Sequence, residues 1–339
     1  MHYRYRQIKE VDCTLPEIAD TLFVTSASFE ERCAWSTDRI SPGYKAADFV
    51  IVRYRGTEHS ALVRARNLNF DHMYSRLSER AGKCGGGIEV VDCDREDPLD
   101  GYSALLEILE RSSDREEPPV VTLDMSTLTK QYILVFLKAL YENKVRLRVL
   151  YTSAQNYQRQ LTWGVKSIVS VPFYNGAQLS RNGSVLVVFL GYERDRSLAI
   201  WKSCEPSKTV AVVCRQENGK ADSPTQAERL NKHFLEISQA EVMQVDRFNI
   251  NETVGILERL CSRYPADKYN LVASPLSTKV QALGLGMFFQ EAMRTIGYSP
   301  LSIQYSLPFD YAKEYSAGSL CLWEFDVGLL RCDDKGGGS

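Results

Sequence analysis

Runs of apolar, largely β-branched residues alternate along the chain with longer segments of helical periodicity. TLFVTS (21–26), FVIVRY (49–54), IEVVDC (88–93), PVVTLD (119–124) and VRLRVLYT (145–152) are strand-length and nearly continuous in their apolar character. That is the pattern of strands covered on both faces of a parallel sheet. The intervening segments predict the covering helices, so the fold class is α/β with mainly parallel sheets.

The same order recurs in VLVVFL (185–190), TVAVVC (209–214), EVMQVD (241–246), YNLVAS (269–274) and LSIQYS (301–306). Apolar strands resemble one another cheaply, so the weight rests on their ends. SFEER follows the first strand of one half and GYERDR that of the other, and Asp92 and Asp246 close the third strands. STLTK and PLSTK follow the fourth strands, ending at Lys130 and Lys279, while Tyr157 and Tyr311 stand six residues beyond Tyr151 and Tyr305. These matches predict two tandem, internally duplicated Rossmann-like halves, 1–180 and 181–335, with 336–339 read as a linker remnant. The boundary is drawn in NGAQLSRNGS (175–184), and segments 161–173 and 319–329 predict an extra strand or hairpin closing each half.

Composition agrees with two ordinary cores: 339 residues, 44% hydrophobic and 25% charged, far from disordered or collagen-like chains. Forty-one basic against 43 acidic residues, a net charge of -2, give no global attraction to nucleic acid or to an anionic membrane. The start, MHYRYRQIKEVD, lacks an apolar signal segment, and no long apolar run follows, so the expectation is a cytoplasmic protein without membrane contact. Nine cysteines without a CxxC pair read as reduced, mostly buried thiols.

Ligands of parallel α/β sheets bind beyond the carboxyl ends of the strands. Two pairs of segments lie there. In the first, Ser126, Thr127, Thr129 and Lys130 answer Ser274, Ser277, Thr278 and Lys279. A lysine in the first turn of a helix opposes the helix dipole, and an anion resolves the conflict, so these residues are candidates for a phosphate cradle. In the second pair, Ser26, Ser28 and Arg32 answer Glu193, Arg194 and Arg196, candidates for holding phosphate, base edges or ribose hydroxyls. Glu30, Glu31 and Asp124 are the carboxylates to consider for catalysis, whereas Asp92, Asp94 and Asp246 read first as turn caps. Tyr151, Tyr157, Tyr305 and Tyr311 are either base-stacking rings or residues at the edge of the core. The Gly85–Gly87 run precedes a strand and reads as a turn. The four histidines lack metal spacing, and no H-E-x-x-H, Walker A, G-x-S-x-G or zinc-finger pattern occurs, so neither a metal nor a cofactor is expected.

At the strand-to-helix step, VTLDMSTLTKQYILVFL and YNLVASPLSTKVQALGLGMF each resemble the motif of CRISPR-associated Rossmann-fold (CARF) sensor domains, in which a strand ending in small hydroxyl residues and Thr-Lys opens a helix. The family's glycine pair before Thr-Lys is replaced by Thr127 and Leu128 in one half and by Leu276 and Ser277 in the other. Two such halves in one chain are similar to the SAVED sensor arrangement. The resemblance implies recognition of nucleotide or oligonucleotide signals, or of nucleic-acid ends, in prokaryotic antiviral defence. It also implies an effector, here expected to be a partner protein, and leaves homo-oligomerisation open. Two other readings stand beside it: an enzyme cleaving glycosidic or phosphodiester bonds through Glu30 or Glu31, and a scaffold subunit without catalysis.

Overall fold

All ten apolar runs form strands, and the segments between them supply the helices. The protein is described from a computed structural model covering residues 3–8, 20–55, 60–111, 117–157, 161–176, 183–215, 224–297, 299–312 and 316–330. The linker assignment 336–339, Cys13, Cys332, His2 and His59 lie outside the described residues. In chain order the elements begin with β1 (Arg4–Ile8), β2 (Asp20–Ala27), a single 3-10 turn (Glu31–Cys33), α1 (Trp35–Asp38), β3 (Ala46–Arg55) and α2 (Ser60–Cys84). There follow β4 (Gly87–Asp94), α3 (Pro98–Arg111), β5 (Val120–Asp124), α4 (Lys130–Glu142), β6 (Arg146–Tyr157), β7 (Thr162–Trp163) and β8 (Ser167–Ser170). Next come β9 (Ser184–Phe189), α5 (Arg194–Cys204), β10 (Lys208–Cys214), α6 (Gln226–Leu230), α7 (Lys232–Ser238), β11 (Glu241–Val245) and α8 (Ile250–Arg263). The chain closes with β12 (Asn270–Pro275), α9 (Lys279–Ile296), β13 (Leu301–Leu307), β14 (Asp310–Tyr311) and β15 (Ser316–Leu329).

Two Rossmann-like sheets result. The first has the order β1-β15-β6-β5-β2-β3-β4 and the second β11-β10-β9-β12-β13-β8. Their parallel parts share one order, third-second-first-fourth-fifth, so each has its topological switch between the first and fourth strands: β2 and β5 in one, β9 and β12 in the other.

The chain divides into a unit of β1–β6 with β15 and a unit of β7–β14. This differs from a boundary near 180, and the two added segments close the opposite sheets from those expected. β15 pairs antiparallel with β6, and β8 pairs antiparallel with β13. The reason lies in β6, which runs unbroken from Arg146 to Tyr157 and so leaves its sheet before any reversal. Its outer edge of unpaired N–H and C=O groups is then covered by the 14-residue β15.

The helices that start at the switch points are buried almost all round, from Gln131 to Tyr141 in α4 apart from Lys138, and over most of Val280 to Gln290 in α9. Each large side chain so buried contributes about 1.5–3 kcal/mol of apolar transfer. Gly101 allows α3 to approach α4, since a Cβ there would lie 2.3 Å from the Tyr132 ring. Among the described residues no helix is long and apolar enough to cross a membrane.

Candidate ligand sites at the sheet switch points

In the first unit the hydroxyl-rich strand ends turn inward. Ser26 Oγ and Thr127 Oγ1 lie 2.8 Å apart, bridging the switch between β2 and β5, and Thr127 also donates to the Ser26 carbonyl at 2.9 Å. Asp124, at the end of β5, is buried and accepts from Ser36 Oγ, from Ser126 Oγ, from Ser126 N at 2.9 Å and from Thr25 Oγ1 at 3.4 Å. Burial pushes its carboxyl above the usual aspartate range, opposed by the Ser126 and Ser36 hydrogen bonds and by the Arg32 charge.

Arg32 is 2% exposed and locks this end of the sheet. Its Nε donates to Glu30 Oε2 at 3.0 Å, its Nη1 to the Thr152 carbonyl at 2.9 Å, and it lies 5.9 Å from the Tyr151 ring centroid. Glu30 also accepts from Ser316 of β15. Burial works against the Arg32 charge, but Glu30 and the Tyr157 and Tyr151 phenols outweigh it and hold the guanidinium charged. Thr152 N in turn donates to Ser126 Oγ at 2.8 Å. A continuous chain of bonds, Glu30–Arg32–Thr152–Ser126–Asp124, thus joins the two candidate segments within the interior, not at an open cleft.

The second unit repeats the lock with different details. Arg196 is buried, donates from Nε to the Ser306 carbonyl at 2.9 Å, stands 4.8 Å from the Tyr305 ring centroid, and has Glu193 Oε1 at 3.6 Å. Burial opposes its charge, while Tyr305, Glu193 and Tyr311 raise its pKa. Arg32 and Arg196 therefore occupy equivalent places, each bound to the carbonyl that follows a strand-five tyrosine. Among the described residues of the second unit no equivalent hydrogen-bond relay is found. Strand register aligns Leu123 with Ala273, so Ser274 stands where Asp124 does, and the buried Ser274 and Ser306 hydroxyls have no hydrogen-bond partner. Here the switch is closed by backbone approach, because a Cβ on Gly191 would lie 2.4 Å from the Leu276 carbonyl oxygen.

The Thr-Lys steps begin both switch-point helices. Thr129 accepts from Tyr132 N at 3.3 Å, and Thr278 forms a capping box with Gln281, which makes Lys130 and Lys279 the first helical residues; both are half-buried. Thr129 N donates to the buried Tyr54 hydroxyl at 3.0 Å. Of the remaining candidates, Ser28 is half-buried, with Oγ 3.4 Å from Glu30 N, and Ser277 Oγ lies 3.7 Å from Cys214 Sγ. Glu31 is exposed, and Arg194 is exposed with its Nε 3.5 Å from Asp195.

Third-strand ends show a second correspondence, shifted from the one the sequence suggested. Asp94, and not Asp92, stands opposite Asp246: Asp94 accepts Glu96 N and Asp246 accepts Phe248 N, each at 2.8 Å. Asp94 N donates to Asp100, which binds Arg55; Asp246 N donates to Glu252, which binds Arg215. Asp92 instead holds Arg53 through two bonds of 2.6 and 2.7 Å. The alternation of strand side chains explains the slip, since Asp92 and Asp94 share one face and read alike.

No family model matches the chain, and no curated protein matches it. Among solved structures it is similar to a ketoreductase domain from the bacillaene assembly line, at 12% identity over 88% of this chain and 71% of that one, with a TM-score of 0.25. It is also similar to an N-terminal ketoreductase from the macrolactin assembly line, at 9% identity over 88% and 72% of the two chains, again with a TM-score of 0.25. A likeness at this score carries nothing about function.

Thr152, Ser306, Ser36 and Tyr54 complete these networks and were not singled out from sequence. Thr152 and Ser306 had a usable signal, as each directly follows its strand-five tyrosine. Ser36 and Tyr54 had none.

Proposed function

We propose that this chain is a nucleotide- or oligonucleotide-binding sensor subunit, cytoplasmic, working with a partner effector in prokaryotic antiviral defence, and that its two units descend from one duplicated Rossmann-like domain. The observation that carries the binding reading is the repeated lysine. Lys130 and Lys279 are the first helical residues at the switch points of two sheets of equal strand order, each after a threonine cap. A cation there opposes the helix dipole by about 0.3–1 kcal/mol, a cost an anionic ligand reverses.

Duplication is supported by equivalences that packing alone does not require. Besides Arg32 with Arg196 and Asp94 with Asp246, the pair Glu89–Arg111 at 2.8 Å answers Glu241–Arg263 at 2.7 Å, each spanning 22 residues. The buried arginines then act as positioning groups. They fix the strand-one loop against strand five and leave ligand contact to the Thr-Lys steps. Glu30, bound by Arg32 and Ser316 and 8% exposed, is committed to that lock, which leaves the exposed Glu31 as the carboxylate for glycosidic or phosphodiester cleavage.

Incubation of the full chain with mixtures of mononucleotides and short cyclic and linear oligonucleotides, followed by mass spectrometry and thermal melting, tests the reading. The expected result is an unchanged compound that raises the melting temperature, by mass action on the native state. No stabilisation by any phosphate compound would overturn it.

A further inference from the structure

A polar cleft lies between α1 and α2 of the first unit, lined by Thr37, Arg76, Glu79, Arg80 and Lys83 together with apolar side chains. Arg76, Arg80 and Lys83 recur at helical spacing and so share one face of α2. α2 leads from the carboxyl end of β3 to the amino end of β4, which puts these residues at the end of the sheet away from the switch points.

The charges in the cleft are incompletely matched. Arg80 donates to two neutral groups, the carbonyls of Pro42 at 2.9 Å and Ile40 at 3.2 Å, and Glu79 is the carboxylate of the cleft that feels its charge along with those of Lys83 and Arg76. Arg76 stands 3.7 Å from Asp38, a carboxylate that His72 also engages at 2.8 Å. Lys83 meets Glu79 at 2.6 Å in an exposed pair, which solvent and salt weaken. Within the cleft, Thr37 is 5% exposed and its Oγ1 is buried without a hydrogen-bond partner. Buried hydroxyls in folded proteins are almost always bonded, so this one is open to an acceptor that enters the cleft.

We infer that this cleft binds a small phosphate-bearing anion, with Thr37 donating to one oxygen and Arg76, Arg80 and Lys83 facing the others. Guanidinium groups suit a tetrahedral dianion because they offer paired, charge-assisted donors. Its α2 cations are set apart from the switch points, while Thr37 directly follows Ser36, which donates to Asp124.

The test titrates inorganic phosphate into the full chain carrying Lys130→Glu and Lys279→Glu, by calorimetry, against chloride at matched ionic strength. The expected result is saturable binding with one site per chain. It should weaken at least tenfold in the added exposed pair Arg76→Gln and Lys83→Gln, and also in Thr37→Val. Absence of saturable binding, or equal affinity in the Arg76→Gln and Lys83→Gln chain, would overturn the proposal. Should Thr37→Val fail to fold, the exposed pair decides alone. The lysine-to-glutamate background separates this result from the switch-point reading.

Discussion

Arg32 Nη1 donates to the carbonyl oxygen of Thr152 at 2.9 Å across 120 positions of chain, while Thr152 N donates to Ser126 Oγ at 2.8 Å. The backbone of one residue, Thr152, therefore ties the loop after β2 to the turn before α4. Replacing Arg32 by Met would leave the buried Glu30 carboxylate without its counter-charge, with Ser316 as its remaining donor, and the Thr152 carbonyl without the Arg32 bond. The expected loss is about 3–5 kcal/mol, as for other broken buried ion pairs. Urea unfolding should show a lower midpoint at unchanged slope. Arg196→Met should cost less, because its carboxylate stands at 3.6 Å, beyond hydrogen-bond distance. An equal or larger loss for Arg196 would contradict the assignment.

Asp124 gives a pH signature. Its folded pKa is raised, so above the ordinary aspartate range the native state binds more protons at this site than the unfolded chain does. The stabilisation is therefore present at low pH and declines as pH rises through the folded value. Asp124→Asn cannot ionise and lacks that decline. The stability of wild type relative to Asp124→Asn should fall as pH is raised above about 4. A difference that stays constant with pH, in parallel denaturation series, would show that Asp124 titrates normally.

Tyr54 covers the start of α4 through its bond from Thr129 N at 3.0 Å. Tyr54→Phe keeps the ring, which packs 4.9 Å from that of Tyr132, but removes the acceptor. An N–H left unsatisfied in a buried setting costs about 1–3 kcal/mol. Amide exchange at Thr129 should accelerate by a corresponding factor. Unchanged exchange would mean that water reaches this N–H already.

Much of the fold was legible because the strands are nearly continuous in Val, Ile and Leu, a signal that survives without any tertiary information. Strand ends gave the Thr-Lys steps and the two arginine-bearing turns, but not that Arg196 rather than Arg194 answers Arg32. The direction of those side chains was not legible. Ser26 faces inward onto Thr127, and Ser126 onto Asp124, and nothing in a one-dimensional pattern separates that from facing a ligand. The exchange of β8 and β15 between sheets was hidden as well, since an apolar strand does not specify which edge it covers. Asp20 and Arg148 went unmarked for the same reason: they meet at 3.2 Å within the first sheet although 128 residues apart, and both are buried.

Burial also sets thiol chemistry. It pushes Cys33 and Cys261 up to about 12 and Cys93 and Cys204 up to about 11. Few of these thiols are ionised near neutral pH, and the thiolate is the reactive form. Native protein at pH 8 should alkylate slowly at these four positions and rapidly after unfolding, as followed by peptide mass spectrometry. Fast native labelling of Cys33 would contradict the buried environment assigned to it.

The central claim is that Lys130 and Lys279 meet an anion. Its most direct measurement is ligand affinity and melting temperature on the same two variants, Lys130→Glu and Lys279→Glu, using the stabilising nucleotide found in the mixture experiment. Glutamate suits a helix start, so the dipole contribution should improve by about 0.3–1 kcal/mol and the melting temperature should hold or rise. Losing a charge-assisted bond and gaining repulsion should weaken binding at least tenfold, which corresponds to about 1.4 kcal/mol. Lowered melting temperature with intact affinity would show that the lysines serve the fold, and would contradict the claim.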